Sequence, residues 1–208
     1  LKCSQLRSYR VTHALVFEGF RACDERLVDR ATPPENVSMP RVLHMFRTLD
    51  SPPKAPAVNG VRLRNYERPA DIERWLELRR RCFARERLGV ESWAAADFHR
   101  AVLEQPWWNP ARLWFAERKG LLRTSGAPAG SVILADRATE NGTVPVVHWL
   151  MVAPSFRGRG IGRLLLTALE TTCWENGCRE IRLETYAEWT AAVGLYKAQG
   201  YELVDDES

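Results

Sequence analysis

Hydrophobic and polar positions repeat along this chain with periods that predict strands and helices from about residue 60 onward. Four segments have the apolar spacing of one helical face, and they begin at Pro69, Ser92, Ile161 and Thr190. Six segments have strand composition, and they are 61–66, 112–116, 130–135, 146–152, 180–186 and 201–204. The resulting order is strand, two helices, three strands, helix, strand, helix and strand, which predicts an α/β fold.

A glycine-rich loop follows the central apolar strand. Gly158, Gly160 and Gly162 occupy alternate positions there, two arginines lie among them, and a helix begins at once. Main-chain N–H groups at a helix N-terminus attract anions, and glycine lets a ligand approach the backbone closely. The strand, loop and helix therefore predict a site for a phosphate or pyrophosphate group.

The spacing of the loop excludes two common nucleotide motifs. A P-loop ends in Gly-Lys-Ser/Thr, whereas this loop ends in Ile-Gly-Arg, and a dinucleotide fingerprint requires G-x-G-x-x-G. A plain glycine turn before a helix is the structural alternative. The loop does match Arg-x-x-Gly-x-Gly, preceded by Leu-x-Val-x-Pro. A second run, Ala-x-x-Leu-Tyr-x-x-x-Gly-Tyr, begins at Ala192.

These two runs resemble the signatures of the GCN5-related N-acetyltransferase (GNAT) superfamily, and the resemblance extends over about residues 60–204. It implies the GNAT fold, which is a mixed and mostly antiparallel central sheet with a splayed parallel strand pair and flanking helices. It also implies acetyl-CoA as the co-substrate of an acyltransferase.

The resemblance places the cofactor contacts on the loop and on the strand before it. That strand bulges in the superfamily, so the main-chain groups of Leu150, Met151 and Val152 would contact the pantetheine arm. Trp189 stands where the family has an asparagine, and it would stack on the same arm. The pyrophosphate contacts would come from Arg157, Gly158, Arg159, Gly160, Ile161, Gly162 and Arg163.

Two residues are the catalytic candidates. Tyr196 occupies the signature tyrosine, where the family places a general acid near the CoA sulfur, and a packing tyrosine is the alternative. His148 shares the strand face of Leu150, and the ordinary histidine pKa of about 6.5 suits a general base. A satisfied core histidine is the alternative, and Glu184 and Glu188 are weaker candidates for the base.

Trp93, Trp107 and Trp108 are candidates for the wall of the acceptor site. In such folds the first two helices and their loop form one wall of that site. The alternative is core packing, which aromatic side chains usually serve. The segment 92–110 also resembles the acceptor-side region of mycothiol synthase-like members, which suggests a small polar or amino-sugar amine.

Residues 1–58 lie outside the resemblance and are interpreted as an N-terminal extension of a domain at 59–208. The extension contains strand composition at 9–17, a short apolar piece at 42–49 and a proline-rich linker at 51–57. Three interpretations remain open: a disordered extension, a dimerisation arm, or a strand that joins the sheet. The chain after Gly200 has room for one of the two final strands of the fold, which favours 9–17 as the missing partner.

Composition narrows the class of function. The formal net charge is +4 and the charges are interspersed, so no nucleic-acid partner is indicated. Five unpatterned cysteines indicate reduced thiols rather than disulfides or a zinc site, so no metal is expected. Without a signal peptide or a long apolar run, we expect a cytoplasmic protein with no membrane partner, as a monomer or homodimer.

The sequence therefore predicts an acetyl-CoA-dependent N-acetyltransferase that acts on a small-molecule primary amine by direct transfer. Two alternatives remain open, namely acetylation of a protein or peptide, and a non-catalytic CoA-binding regulatory module. The intact loop and Tyr196 argue against the regulatory module.

Overall fold

The computed structural model describes residues 40–84, 92–119, 128–140 and 142–204. Within these ranges the chain forms seven strands and four α-helices, most of them where the periodicity predicts them. A π-helical turn extends the second helix over His99–Leu103. In chain order the elements are β1 (Val42–Thr48), β2 (Val61–Asn65), α1 (Ala70–Phe83), α2 (Ala95–Phe98), β3 (Leu113–Arg118), β4 (Gly130–Thr139), β5 (Gly142–Val152), α3 (Ile161–Glu175), β6 (Glu180–Tyr186), α4 (Thr190–Ala198) and β7 (Glu202–Leu203).

The seven strands form one sheet in the order β2-β3-β4-β5-β6-β1-β7. Every neighbouring pair is antiparallel except β5 and β6, which are parallel. Parallel neighbours need a crossover connection, and α3 provides it. This mixed, mostly antiparallel sheet with flanking helices confirms the predicted fold class.

Each face of the sheet has its own apolar core. α3 presents Leu165 and Leu169 to one face, where they belong to the same buried cluster as Val147 and Leu183. α1 covers the opposite face and contacts β5, and Trp75 lies fully buried in the apolar cluster of that face. Replacing a buried tryptophan with alanine typically costs about 3 to 5 kcal/mol, so Trp75 is a principal anchor of α1.

The second helix begins later than the sequence predicts. Ser92 is not its cap, because the first helical residue is Ala95. The Asp97 carboxylate accepts the main-chain N–H of Ala94 at 2.8 Å, and this contact fixes the start of the helix. Trp93 therefore precedes the helix instead of lying on its apolar face.

β5 is irregular towards its end. Its register with β4 shifts between Ser131 and Ile133, because a β-bulge adds one residue to β5 at this point. Trp149 lies in the bulge with a φ of 49°, the one positive φ of a non-glycine residue in the described ranges. β5 pairs with β6 at Val146 and Val147, and the two strands separate beyond this point. The bulge and the splayed pair confirm what the resemblance implies for this strand.

β1 lies inside the sheet, between β6 and β7. It pairs with β6 along its whole length, beginning with Val42 opposite Tyr186. Arg47 of β1 also forms a 2.7 Å ion pair with Glu170 of α3, whose side chain is 1% exposed. The strand is therefore held from both the sheet and the helix layer.

The strand beside β6 is thus 42–48, which sequence reasoning treats as a short apolar piece and no more. The segment proposed for this role, 9–17, lies outside the described residues. β1 escapes prediction because neither of its faces is uniformly apolar: Met45 and Arg47 share one face, and His44 and Phe46 share the other.

Candidate active site

The glycine loop and the start of α3 form one side of a cavity of about 540 Å³. Gly160 caps α3 in the left-handed backbone region, with a φ of 78°, and no side chain caps the helix. The N–H groups of the first helical turn therefore remain available to a ligand at the positive end of the helix dipole. This arrangement suits an anionic group.

The three glycines of the loop serve two purposes. Gly158 and Gly160 both have positive φ and set the turn of the backbone. Gly162 allows α3 and α4 to approach each other, since a Cβ there would lie 2.9 Å from Leu195 Cδ2. The turn of the loop therefore depends on Gly158 and Gly160, and the close approach of α3 and α4 depends on Gly162.

The rest of the cavity wall comes from the bulged end of β5, the start of α4 and the end of α1. Arg159 is not part of that wall, and its guanidinium lies 5.6 Å from the ring centroid of Phe156. The other predicted cofactor residues and the predicted acid all line the cavity, and they are Leu150, Met151, Val152, Arg157, Gly158, Gly160, Ile161, Gly162, Arg163, Trp189 and Tyr196.

Arg157 ties the loop to two neighbouring elements. Its Nε donates to the Val152 carbonyl at 3.2 Å, and one Nη donates to the Cys82 carbonyl at 3.4 Å. Part of its donor capacity is thus used within the protein, while its positive charge remains at the cavity wall.

Tyr196 contributes its phenol to the cavity wall from α4. The side chain is 6% exposed, and within the described ranges its hydroxyl makes no hydrogen bond to the protein. Burial raises the pKa of Tyr196 above its ordinary value, so the phenol stays protonated at neutral pH. A protonated phenol without a protein partner can donate a hydrogen bond to a ligand.

His148 lies at the point where β5 and β6 separate, outside the cavity lining. It is half-buried, and its ring centroid lies 5.5 Å from that of Trp149. Burial lowers the pKa of His148 to about 4, and the positive charge of Arg137 lowers it as well. His148 is therefore neutral at pH 7 and is a weaker base than the ordinary histidine pKa predicts.

The three candidate tryptophans of the acceptor wall are separated in space. Trp93 lies at the bulge, where its ring centroid is 5.0 Å from that of Trp149. Trp108 lies 5.5 Å from Tyr66, which follows the edge strand β2. Trp107 packs, half-buried, against the apolar cluster under α1. Of the three, Trp93 is the one beside the separated strands.

Sequence reasoning misses three side chains close to the cavity: Arg79, Phe83 and Trp149. The Arg79 guanidinium contacts both Trp93 and Trp149, 4.8 and 4.9 Å from their ring centroids. Phe83 lines the cavity, and its ring centroid lies 5.7 Å from that of Trp189. Arg79 and Phe83 are four residues apart and therefore lie on one face of α1. This spacing is the sequence pattern from which their proximity could be predicted.

The buried cysteine thiols are unreactive at neutral pH. Burial raises the pKa of Cys82 to about 11 and that of Cys173 to about 12, so both thiols are protonated at neutral pH. The described residues contain no group of three or more His, Cys, Asp or Glu side chains that could hold a metal ion. In the same ranges no helix combines the length and apolarity needed to cross a bilayer.

Comparison with known proteins agrees with this arrangement. A family model described as the acetyltransferase (GNAT) family matches residues 72–201. This chain belongs to the GNAT acetyltransferase family. Acetyl-CoA is the co-substrate of GNAT acetyltransferases. The uncapped start of α3, the separated strands and the phenol of Tyr196 all suit it.

The mycothiol acetyltransferases among the relatives of this chain are longer than the chain itself. The mycothiol acetyltransferase of Thermobispora bispora is 34% identical over 161 residues, which are 76% of this chain and 52% of the relative. The chain therefore spans about half the length of the curated relatives it matches.

Solved structures share the fold. A GCN5-related N-acetyltransferase from Sphaerobacter thermophilus has a TM-score of 0.62 and 23% identity, covering 78% of this chain and 48% of that chain. The NatC complex bound to Gag peptide and CoA has a TM-score of 0.55 and 22% identity, covering 67% of this chain and 83% of that chain. At these identities the likeness shows the GNAT fold.

Proposed function

We propose that this chain transfers the acetyl group of acetyl-CoA to a primary amine of a small molecule by direct attack. The observation that carries the proposal is the cavity in which the glycine loop, the bulged end of β5 and Tyr196 meet. These three features supply an anion site, free main-chain groups and a proton donor in one place.

The cavity suits an elongated cofactor with an anionic end and an amide-bearing arm. The N–H groups at the start of α3 would bind the pyrophosphate, and Arg157 and Arg163 would add positive charge. The main chain of 150–152, which has no β6 partner after the strands separate, would pair with the amides of the arm. Trp189 would stack against the same arm.

Acetyl-CoA supplies a thioester carbonyl that a neutral amine can attack. Tyr196 would donate its proton to the departing thiolate, because its phenol is protonated at neutral pH and faces the cavity. A main-chain N–H at the bulged end of β5 would stabilise the oxyanion. His148, which is neutral at pH 7, would accept the proton of the amine through water.

Direct transfer is favoured over a covalent enzyme intermediate by the state of Cys82. This cysteine lines the cavity, but burial raises its pKa to about 11. A nucleophilic cysteine requires a thiolate, and the raised pKa disfavours that form. Cys82 therefore serves as an apolar wall residue.

A small-molecule acceptor is favoured because the 34% identical relative is named a mycothiol acetyltransferase. Trp93 and Trp149 would form the aromatic part of the acceptor wall, since their rings meet at the bulge. We place the reaction in the cytoplasm, since Cys82, Cys173 and Cys178 are free thiols, which suits a reducing compartment.

Thermal shift and calorimetry with acetyl-CoA, CoA and ATP test the cofactor assignment. Acetyl-CoA and CoA should raise the melting temperature and ATP should not, because a ligand that binds the native state stabilises it. No response to acetyl-CoA would contradict the assignment.

An amine panel then tests the acceptor class. Glucosamine, cysteine methyl ester and two short peptides would be assayed with acetyl-CoA, and each N-acetylated product would be measured by mass spectrometry. Turnover of the small amines supports the proposal. Faster turnover of the peptides would favour a peptide acetyltransferase, and tight CoA binding without turnover would favour a regulatory module.

A further inference from the structure

The side chains of His148 and Glu184 flank the opening between β5 and β6 on the face away from α3. Val147 and Leu183 are paired neighbours that point into the α3 core. Because successive strand residues point to opposite faces, His148 and Glu184 are the next residues of the two strands on the other face. Both lie immediately beyond the last paired position, where the strands begin to separate.

The Glu184 carboxylate is charge-balanced, yet its hydrogen-bonding capacity is not filled. Arg137 Nη1 lies 2.7 Å and His44 Nδ1 lies 3.2 Å from the same oxygen, Oε1. Both contacts engage Oε1. Within the described ranges Oε2 forms no hydrogen bond or ion pair with the protein. A carboxylate oxygen that the protein leaves open can accept hydrogen bonds from a ligand.

The group around Glu184 is assembled from three strands. Arg137 belongs to β4, Glu184 to β6, and His44 to β1, where it lies directly opposite Glu184 in the sheet register. The three side chains are 36%, 18% and 46% exposed, respectively, so a ligand can reach them from solvent. β1 thus brings a residue of the N-terminal extension to the opening.

We propose that Glu184 binds the ammonium group of the acceptor before the amine is deprotonated, and that Arg137 and His44 position its carboxylate. An ammonium group offers three donors and a positive charge, and it would donate a hydrogen bond to the open Oε2. This inference rests on the proposed function, and it concerns binding rather than proton transfer. It makes β1 a part of the acceptor site.

Glu184→Gln tests the inference because it keeps the size of the side chain and removes its charge. For the panel amine that the wild type acetylates best, KM should rise by about tenfold or more, since hydrogen bonds to charged groups contribute about 1.5 to 3 kcal/mol. KM for acetyl-CoA and kcat at saturating amine should stay within about twofold. A purely structural role would change these parameters together with the melting temperature.

Glu180→Gln is the matched control. Glu180 lies on the same face of β6, and its ion pair with Arg182 spans 2.6 Å between two exposed side chains. This variant should leave KM for the amine unchanged. His44→Ala should raise the same KM by about threefold, the effect of losing one positioning contact of about 0.6 kcal/mol.

Three outcomes are decisive. An unchanged KM for the amine in Glu184→Gln would overturn the inference while leaving the proposed function in place. Failure of the wild type to bind acetyl-CoA would overturn the proposed function, and acetyl-CoA binding without turnover of any panel amine would overturn both. If Glu184→Gln does not fold, Glu184→Asp is the second variant, because it keeps the charge and moves the carboxylate away from the opening. An unchanged KM for the amine in Glu184→Asp would also overturn the inference.

Discussion

The proposed cofactor side and the proposed acceptor side of this molecule are built in different ways. On the cofactor side, most of the residues that line the cavity come from one segment, 150–163, and glycines set the conformation of its loop. On the acceptor side, His44, Arg137, His148 and Glu184 converge from four strands. A binding site made of main-chain groups tolerates most substitutions except those at its glycines. A binding site made of side chains changes its specificity when any one of those side chains is replaced. One cofactor can therefore be kept while acceptors diverge.

The largest expected effect comes from a glycine on the cofactor side. Gly160→Val should weaken acetyl-CoA binding by about 1,000-fold, because a β-branched residue at a φ of 78° disturbs the N–H groups at the start of α3. Calorimetry on the folded variant would measure the change in Kd.

Gly177→Val is the control for backbone strain. Gly177 also has a φ of 78°, but it lies after the C-terminal end of α3, away from the cavity. Both variants should lose similar stability, and Gly177→Val alone should keep the affinity for acetyl-CoA. Equal affinities in the two variants would show that the cofactor side does not depend on this loop.

The next largest effect is expected at Tyr196. Tyr196→Phe should lower kcat by about 100-fold, the usual contribution of a general acid, while Kd for acetyl-CoA stays within about threefold. Tyr201→Phe is the comparison, since its ring centroid lies 5.8 Å from that of Tyr196 and it does not line the cavity. A similar kcat in the Tyr196 variant and the wild type would remove the phenol from the reaction.

The smallest effect concerns His148 and is a change of stability with pH. The folded-state pKa of about 4 lies below the ordinary value, so between pH 6.5 and 4 the unfolded chain binds a proton that the folded chain does not. The wild type therefore loses stability as the pH falls through this window. His148→Gln should be more stable relative to the wild type at pH 5 than at pH 7, by about 1 to 2 kcal/mol in urea unfolding.

His99→Gln is the control for this effect, because His99 is exposed in the fold. The shape of the wild-type kcat/KM profile between pH 6 and 8 should also be unchanged in His148→Ala, since His148 is already neutral there. If the wild-type kcat/KM profile has a limb near pH 6.5 that His148→Ala lacks, then the site does not lower the pKa of His148.

Local features of the site were predictable because they depend on sequence neighbours. The loop, α3 and the strand before them follow from glycine positions and periodicity within 146–175. The resemblance predicted a bulge in this strand, but it did not predict the positive φ of Trp149. That backbone conformation depends on the packing of the Trp149 ring against Trp75 and Trp93.

The acceptor side was less predictable because its members are distant in sequence. His44 and Glu184 meet through strand pairing, and no local pattern encodes that register. The pKa of His148 also depends on burial and on Arg137, neither of which periodicity reports. The start of α2 was missed for a smaller reason, since Asp97 and not Ser92 makes the capping contact.

The place of β1 in the sheet has a consequence for the order of events during synthesis. The main-chain N–H of Arg41, beside β1, donates to Glu188 at 3.2 Å across 147 positions of sequence. At about 5–20 residues per second, a ribosome completes β1 roughly 7 to 28 seconds before it completes β6. Until β6 is synthesised, the nascent chain therefore carries an unpaired strand with Met45 and Phe46 in water. Completion of the sheet is a late step of high contact order, and a chaperone that shields β1 would act in that interval.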